Sequence, residues 1–258
     1  MASDCRVVTQ AEGGAAAGTT GGAPPQSTDE LLAEVGKLAS LAHDPATDQA
    51  ALDAQAERVA QLSAAAGTNK VVAELNDGSF KGYTLSGRTA ERFRKVIDLG
   101  TMSFKLYQPA DLKVKMTSTD SSGVYKGADG STSQAYVVTA GFNVVEWDGQ
   151  EGSEAVPTGV SGVSKAISEY RLADDNQARM FITFKRLRLS PASDDPEHLA
   201  RWLDLLLPHN PTMDPKTGVL EVDLPSKSPE GYLDALVMTE KYQLLQGNYG
   251  SRTLLERI

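Results

Sequence analysis

The sequence predicts a mainly β protein: a closed antiparallel barrel of about eight to nine strands, preceded by an N-terminal helical pair and carrying one short helix near 196–207. Three observations predict it. Apolar residues recur every three to four positions over 28–66, and from Gly67 onward the spacing drops to two. Gly, Asp and Ser punctuate the later half at short intervals, as hairpin turns require. Long helical segments that could alternate with parallel strands are missing, so the strands are expected to pair antiparallel and close on themselves, which removes exposed edges.

Residues 1–27 read as a disordered tail, because Gly13, Gly14, Gly18, Gly21, Gly22, Pro24 and Pro25 amid alanines bury too little apolar area to offset chain entropy. Ser27 or Thr28, followed by Glu30, marks a helix start, and Leu31, Leu32, Val35, Leu38 and Leu41 follow at helical spacing. His43-Asp44-Pro45 breaks that helix. A second begins near Thr47 or Asp48, carries Leu52, Val59 and Leu62, and stops at Gly67. The division is thus a tail over 1–27, a helical pair over 28–66 and a barrel domain over 68–258.

Within the barrel domain, Asn76-Asp77-Gly78 is a hairpin signal between Val71–Leu75 and Phe80–Leu85. Met102, Phe104 and Leu106 alternate with polar residues, as do Leu112, Val114 and Met116. Tyr136, Val138, Ala140, Phe142 and Val144 form one face of a long strand that bends at Gly141. Met180, Ile182 and Phe184 continue the pattern, but Leu187 and Leu189 are out of phase with them. A β-bulge near Lys185 restores the phase. Further strands are expected at Ile167–Leu172, Val219–Leu224, Tyr232–Met238 and Tyr242–Gln246.

A formal charge of −9 repels nucleic-acid backbones, so nucleic acid is not expected as a partner. No apolar run reaches the length of a transmembrane helix, and Cys5 is the sole cysteine, which rules out an intrachain disulfide. His43, His198 and His209 fit no metal-binding spacing, and Asp174-Asp175 and Asp194-Asp195 read as turn and cap residues. Gly82 to Thr89 nearly spells a phosphate-binding loop, but Arg88 replaces the lysine and a strand-then-turn reading fits the context. No catalytic constellation emerges, so catalytic and metal residues are expected to be none.

Phe80, Phe104, Tyr136, Phe142, Met180 and Phe184 all fall on faces assigned to the barrel interior. They either fill a core or line a cavity for a hydrophobic ligand. Trp202, Leu203 and Leu206 belong to a short apolar helix bounded by Asp195-Pro196 and Pro208, read as a lid over the barrel mouth or a membrane contact.

The segment Ser228-Pro229-Glu230-Gly231-Tyr232-Leu233-Asp234 resembles the P-x-G-Y/W-L-D signature of the plastid-lipid-associated proteins, the fibrillins. Gly247-Asn248-Tyr249-Gly250-Ser251 is similar to that family's closing R-G-N-x-G, and Gly100 to Leu112 to its block ending in F-x-P-x-x-L. Leu75-Asn76-Asp77-Gly78-Ser79-Phe80 resembles its lipocalin-like entry, with Phe80 in place of tryptophan. Thr239 and Gln243 stand where the family has aspartate and arginine. The resemblance implies a lipocalin-like barrel in the plastid, peripheral to thylakoids or plastoglobules, with no covalent cofactor. It would bind or organise lipid, quinone or carotenoid without catalysis. The rival expectation is a structural or assembly subunit docked on a photosynthetic membrane complex through the helices at 28–66. A third is an enzyme whose carboxylates cannot be paired from sequence.

Overall fold

The structure, a computed structural model, describes residues 28–44, 46–66, 79–85, 95–126, 132–150, 153–174, 178–225 and 230–258. Two helices come first, α1 (Thr28–His43) and α2 (Gln49–Ala66). Ten strands follow: β1 (Ser79–Thr84), β2 (Ile97–Asp98), β3 (Lys113–Lys126), β4 (Thr132–Glu146), β5 (Val156–Leu172), β6 (Arg179–Pro191), β7 (Leu220–Asp223), β8 (Glu230–Met238), β9 (Tyr242–Gly247) and β10 (Arg252–Arg257). A third helix, α3 (Pro196–Leu206), lies between β6 and β7. The segment 1–27 and the expected strand and turn at 71–78 lie outside the described residues.

All pairings are antiparallel. The order β1-β10-β9-β8-β6-β5-β4-β3 is closed by pairing of β1 with β3, giving an eight-stranded barrel. The two remaining strands are additions, β2 on β3 and β7 on β6.

Strand length divides the sheet into two storeys. β3 to β6 run for 13 to 17 residues, whereas β1, β9 and β10 have 6 each. The short strands close the barrel against one half of the long ones. β6 shows the division: Arg179–Thr183 pair with β8, and Arg186–Leu189 pair with β7. Between them the register slips, with Ile167 opposite Arg186 and Ser168 opposite Phe184, so Lys185 is the extra residue of a bulge. The Lys185 carbonyl accepts from the Leu224 N–H at 2.8 Å. The bulge keeps Met180 and Ile182 facing the barrel core while Leu187 and Leu189 face the upper one.

Three cores result. Inside the barrel sit Phe80, Tyr136, Met180, Ile182, Ala235, Met238, Leu245 and Leu255. In the upper storey α3 lays Trp202 and Leu206 on Phe142, Val144, Leu187 and Leu189. On the outer wall, Leu31, Val35, Leu38, Val59 and Leu62 of the helical pair pack on Leu85, Val237, Leu244 and Leu254.

One expected strand is corrected. Met102, Phe104 and Leu106 do not form a strand; Leu99–Met102 is a 3-10 turn followed by a tight loop. The Gly100 carbonyl accepts from both the Ser103 and Lys105 N–H groups, at 3.3 and 2.7 Å, and curls the chain. Tyr107, held by its N–H donating to Ser103 Oγ at 3.0 Å, takes the buried position instead.

Candidate functional site: a cavity in the barrel

A cavity of about 270 Å³ lies in the barrel, walled by Tyr136, Val138, Ile182, Phe184, Leu245 and Leu255. Gly231-Tyr232, Gly247-Asn248-Tyr249 and Ser251 also border it. The space follows from uneven side-chain size. β6 contributes Ile182 and Phe184 to the wall, while β3 contributes the small Thr119 and Ser121. Small residues on one wall opposite large ones on another leave volume unfilled.

The polar content of the wall is sparse. Asp120 is its one carboxylate, and no lysine, arginine or histidine is among the described residues that line it. Burial raises the Asp120 pKa, and the Gly82 backbone hydrogen bond and the charge of Lys81 partly counter that rise. Tyr136 is 7 % exposed, and burial pushes its phenol well above the ordinary tyrosine range. The Ser168 hydroxyl donates to the Tyr136 backbone carbonyl at 2.6 Å, which fixes the strand behind the ring. Gln243 is fully buried, and its Oε1 accepts no hydrogen bond although the residue has another polar interaction. Thr239, by contrast, closes the β8–β9 turn through two hydrogen bonds with the Tyr242 backbone, at 2.8 and 3.0 Å.

The expected interior residues divide. Tyr136 and Phe184 line the cavity. Phe80 and Met180 belong to the same core without bordering the cavity; Phe80 lies beneath the Arg257 guanidinium, 5.0 Å from its ring centroid. Phe142 is corrected: β4 outruns the barrel, so this residue packs in the upper core, 6.3 Å between ring centroids from Trp202. Phe104 is also corrected. It is 66 % exposed, at the surface loop made by the turn at Gly100.

For α3, the membrane-contact expectation is the one corrected. Trp202 is 0 % exposed and donates its indole N–H to the Gly218 carbonyl at 2.8 Å, and Leu206 is equally buried. Neither can touch a membrane in this state. Leu203 is half-buried against the same core. The helix roofs the upper sheet and contributes nothing to the cavity wall.

Sequence reasoning missed Leu245 and Leu255. A signal was present: Leu244-Leu245 and Leu254-Leu255 are paired apolar residues that break alternation, as a strand buried on both faces does. One leucine of each pair meets the helices and the other meets the barrel core.

The remaining candidates resolve into structure. Asp195 caps α3 by accepting from the Glu197 and His198 N–H groups, both at 3.0 Å. His198 Nε2 bonds the Ser161 carbonyl at 2.9 Å, and His43 faces Glu256 at 3.2 Å. Gly82, the first residue of the phosphate-loop look-alike, sits within β1, paired on both sides; positions 86–89 lie outside the described residues. Among the described residues, no three His, Cys, Asp or Glu side chains converge on a metal-sized site. Among the described residues, no helix is long and apolar enough to cross a membrane. Comparison with protein-family models finds no match, and comparisons with curated proteins and with solved structures find no similar protein.

Proposed function

We propose that the chain is a non-catalytic binder of small hydrophobic molecules and that the barrel cavity is the binding site. The observation that carries this reading is the apolar space of about 270 Å³ beside Tyr136, Val138 and Phe184. Cavities that hold small ligands usually measure about 300–1,000 Å³, so this one suits a compact molecule or the end of a longer one. Each 100 Å² of ligand surface removed from water contributes about 2.5 kcal/mol, so shape and apolarity dominate affinity.

The docking-subunit reading has less support. It needs an apolar stripe on the helical pair that faces outward, but Val35, Leu38 and Val59 are already buried against the barrel wall. The resemblance to plastid-lipid-associated proteins extends the proposal to location and ligand. A lipid, quinone or carotenoid would then be exchanged with thylakoid or plastoglobule surfaces, the compact end of the molecule entering the barrel.

The test is direct. Purified protein is extracted with organic solvent and the extract analysed by mass spectrometry, beside a Val138→Phe variant that fills the cavity. A hydrophobic molecule that accompanies the parent protein and not the variant is the expected result. Equal recovery from both, or from neither, counts against the cavity as the site.

A further inference from the structure

Tyr136 differs from the other buried tyrosine, Tyr107, in one respect. The Tyr107 hydroxyl pairs with Ser164 Oγ at 3.3 Å, whereas no described residue hydrogen-bonds the Tyr136 hydroxyl. Tyr136 is more than nine-tenths buried, and it lines the cavity. The phenol has no protein acceptor among the described residues, and its oxygen is not one of the fully buried atoms without a partner, so it keeps contact with open space and can donate to an acceptor that enters the cavity. Its position is not loose, since β4 is paired on both sides and Ser168 bonds the Tyr136 carbonyl.

Charge narrows what can satisfy it. Among the described residues, the cavity wall holds no cation. A carboxylate or phosphate entering there would lose its hydration without a counter-charge. An uncharged acceptor avoids that loss.

We propose that the cavity selects uncharged apolar molecules bearing a carbonyl oxygen, such as a ketone, quinone or ester, and that Tyr136 donates its phenolic hydrogen to that oxygen. This rests on the cavity being the ligand site. Burial keeps the phenol protonated, so the donor is present throughout the physiological pH range. A site built to hydrogen-bond one ligand group discriminates against analogues lacking it, because the buried partner is then left unpaired.

Three probes of similar shape separate the terms: acetylnaphthalene, ethylnaphthalene and naphthoate, which offer a carbonyl, a methylene in its place and a carboxylate. Equilibrium dialysis measures each against the parent protein and Tyr136→Phe. The expected result is that Tyr136→Phe weakens acetylnaphthalene by about fivefold, the worth of one ordinary hydrogen bond. Ethylnaphthalene should bind both proteins alike, which also shows that the variant keeps its cavity. Naphthoate should bind the parent more weakly than acetylnaphthalene. Loss of both neutral probes in parallel, or no change in either, overturns the role of Tyr136. Preference for naphthoate overturns the charge argument. Binding of none of the three by the parent protein removes the cavity-binding reading itself.

Discussion

The indole of Trp202 occupies the space that a side chain at Gly162 would need: a Cβ built there falls 2.4 Å from the indole Cζ3. Phe142 Cζ is 2.6 Å from the same point. The absence of a side chain at one position of β5 is therefore what lets α3 reach the sheet. Gly162→Ala should push Trp202 away from Phe142 and cost about 1–3 kcal/mol, as overpacked cores do. Urea unfolding with tryptophan fluorescence reads both effects, and an unchanged midpoint would show that the helix adjusts freely. The ligand probes should still bind, because α3 does not wall the cavity.

The same contact explains part of what sequence could and could not reveal. The bulge at Lys185 was legible because Phe184 and Leu187 are visibly out of phase, and a phase slip in a half-buried strand has one simple remedy. The helical pair was legible because Leu31, Val35 and Leu38 repeat at helical spacing. The first half of β5 was not, since Gly162 and Ser164 take inward positions that a strand pattern would give to large apolar residues; Trp202 and Tyr107 fill those places from elsewhere in the chain. The cavity was illegible for a related reason. It depends on which small residues of β3 share a wall with which large ones of β6, and periodicity fixes a face without fixing its partners.

Phe104 and Lys105 both adopt left-handed backbone conformations, with φ of 53° and 66°. For residues bearing a Cβ that geometry costs roughly 1–2 kcal/mol each. Lys105→Gly removes the steric part but adds freedom to the unfolded chain, so the net change should range from neutral to a gain of about 1 kcal/mol. Lys105→Val should lose stability, because a β-branched residue is poorly tolerated there. Thermal unfolding of the two variants should shift in opposite directions or, for glycine, not at all; a valine variant as stable as the parent contradicts the assigned turn.

Glu34 links the two helices and gives the fold an acid-sensitive seam. Gln55 Nε2 donates to the Glu34 carboxylate at 2.8 Å and to its backbone carbonyl at 2.9 Å, and Lys37 Nζ approaches the other carboxylate oxygen at 2.6 Å. The Gln55 bond, then Lys37, holds the Glu34 pKa below its ordinary value. A carboxylate lowered on folding stabilises the native state above its unfolded pKa of about 4.3, and that contribution is lost as pH falls through the folded value. The parent protein should therefore lose more stability than Glu34→Gln between neutral pH and pH about 3. Denaturant midpoints at the two pH values measure the difference, and parallel losses would show that the seam carries no linkage.

Leu38 and Leu32 share α1 but lie on different faces. Leu38 is 0 % exposed in the cluster that includes Val237, Leu244 and Leu254, whereas Leu32 is 44 % exposed. If the helical pair exists to brace the barrel, Leu38→Ala should cost about 2–5 kcal/mol, as buried leucine truncations do. Leu32→Ala, a surface change, should stay within about 0.5 kcal/mol. Because Leu244 and Leu254 neighbour the cavity-lining Leu245 and Leu255 on the opposite strand faces, loosening the helices should also loosen the cavity wall. Leu38→Ala is thus expected to weaken acetylnaphthalene and ethylnaphthalene together, without the carbonyl preference that Tyr136→Phe removes. A helix docked as an independent module would instead lose stability with both affinities intact.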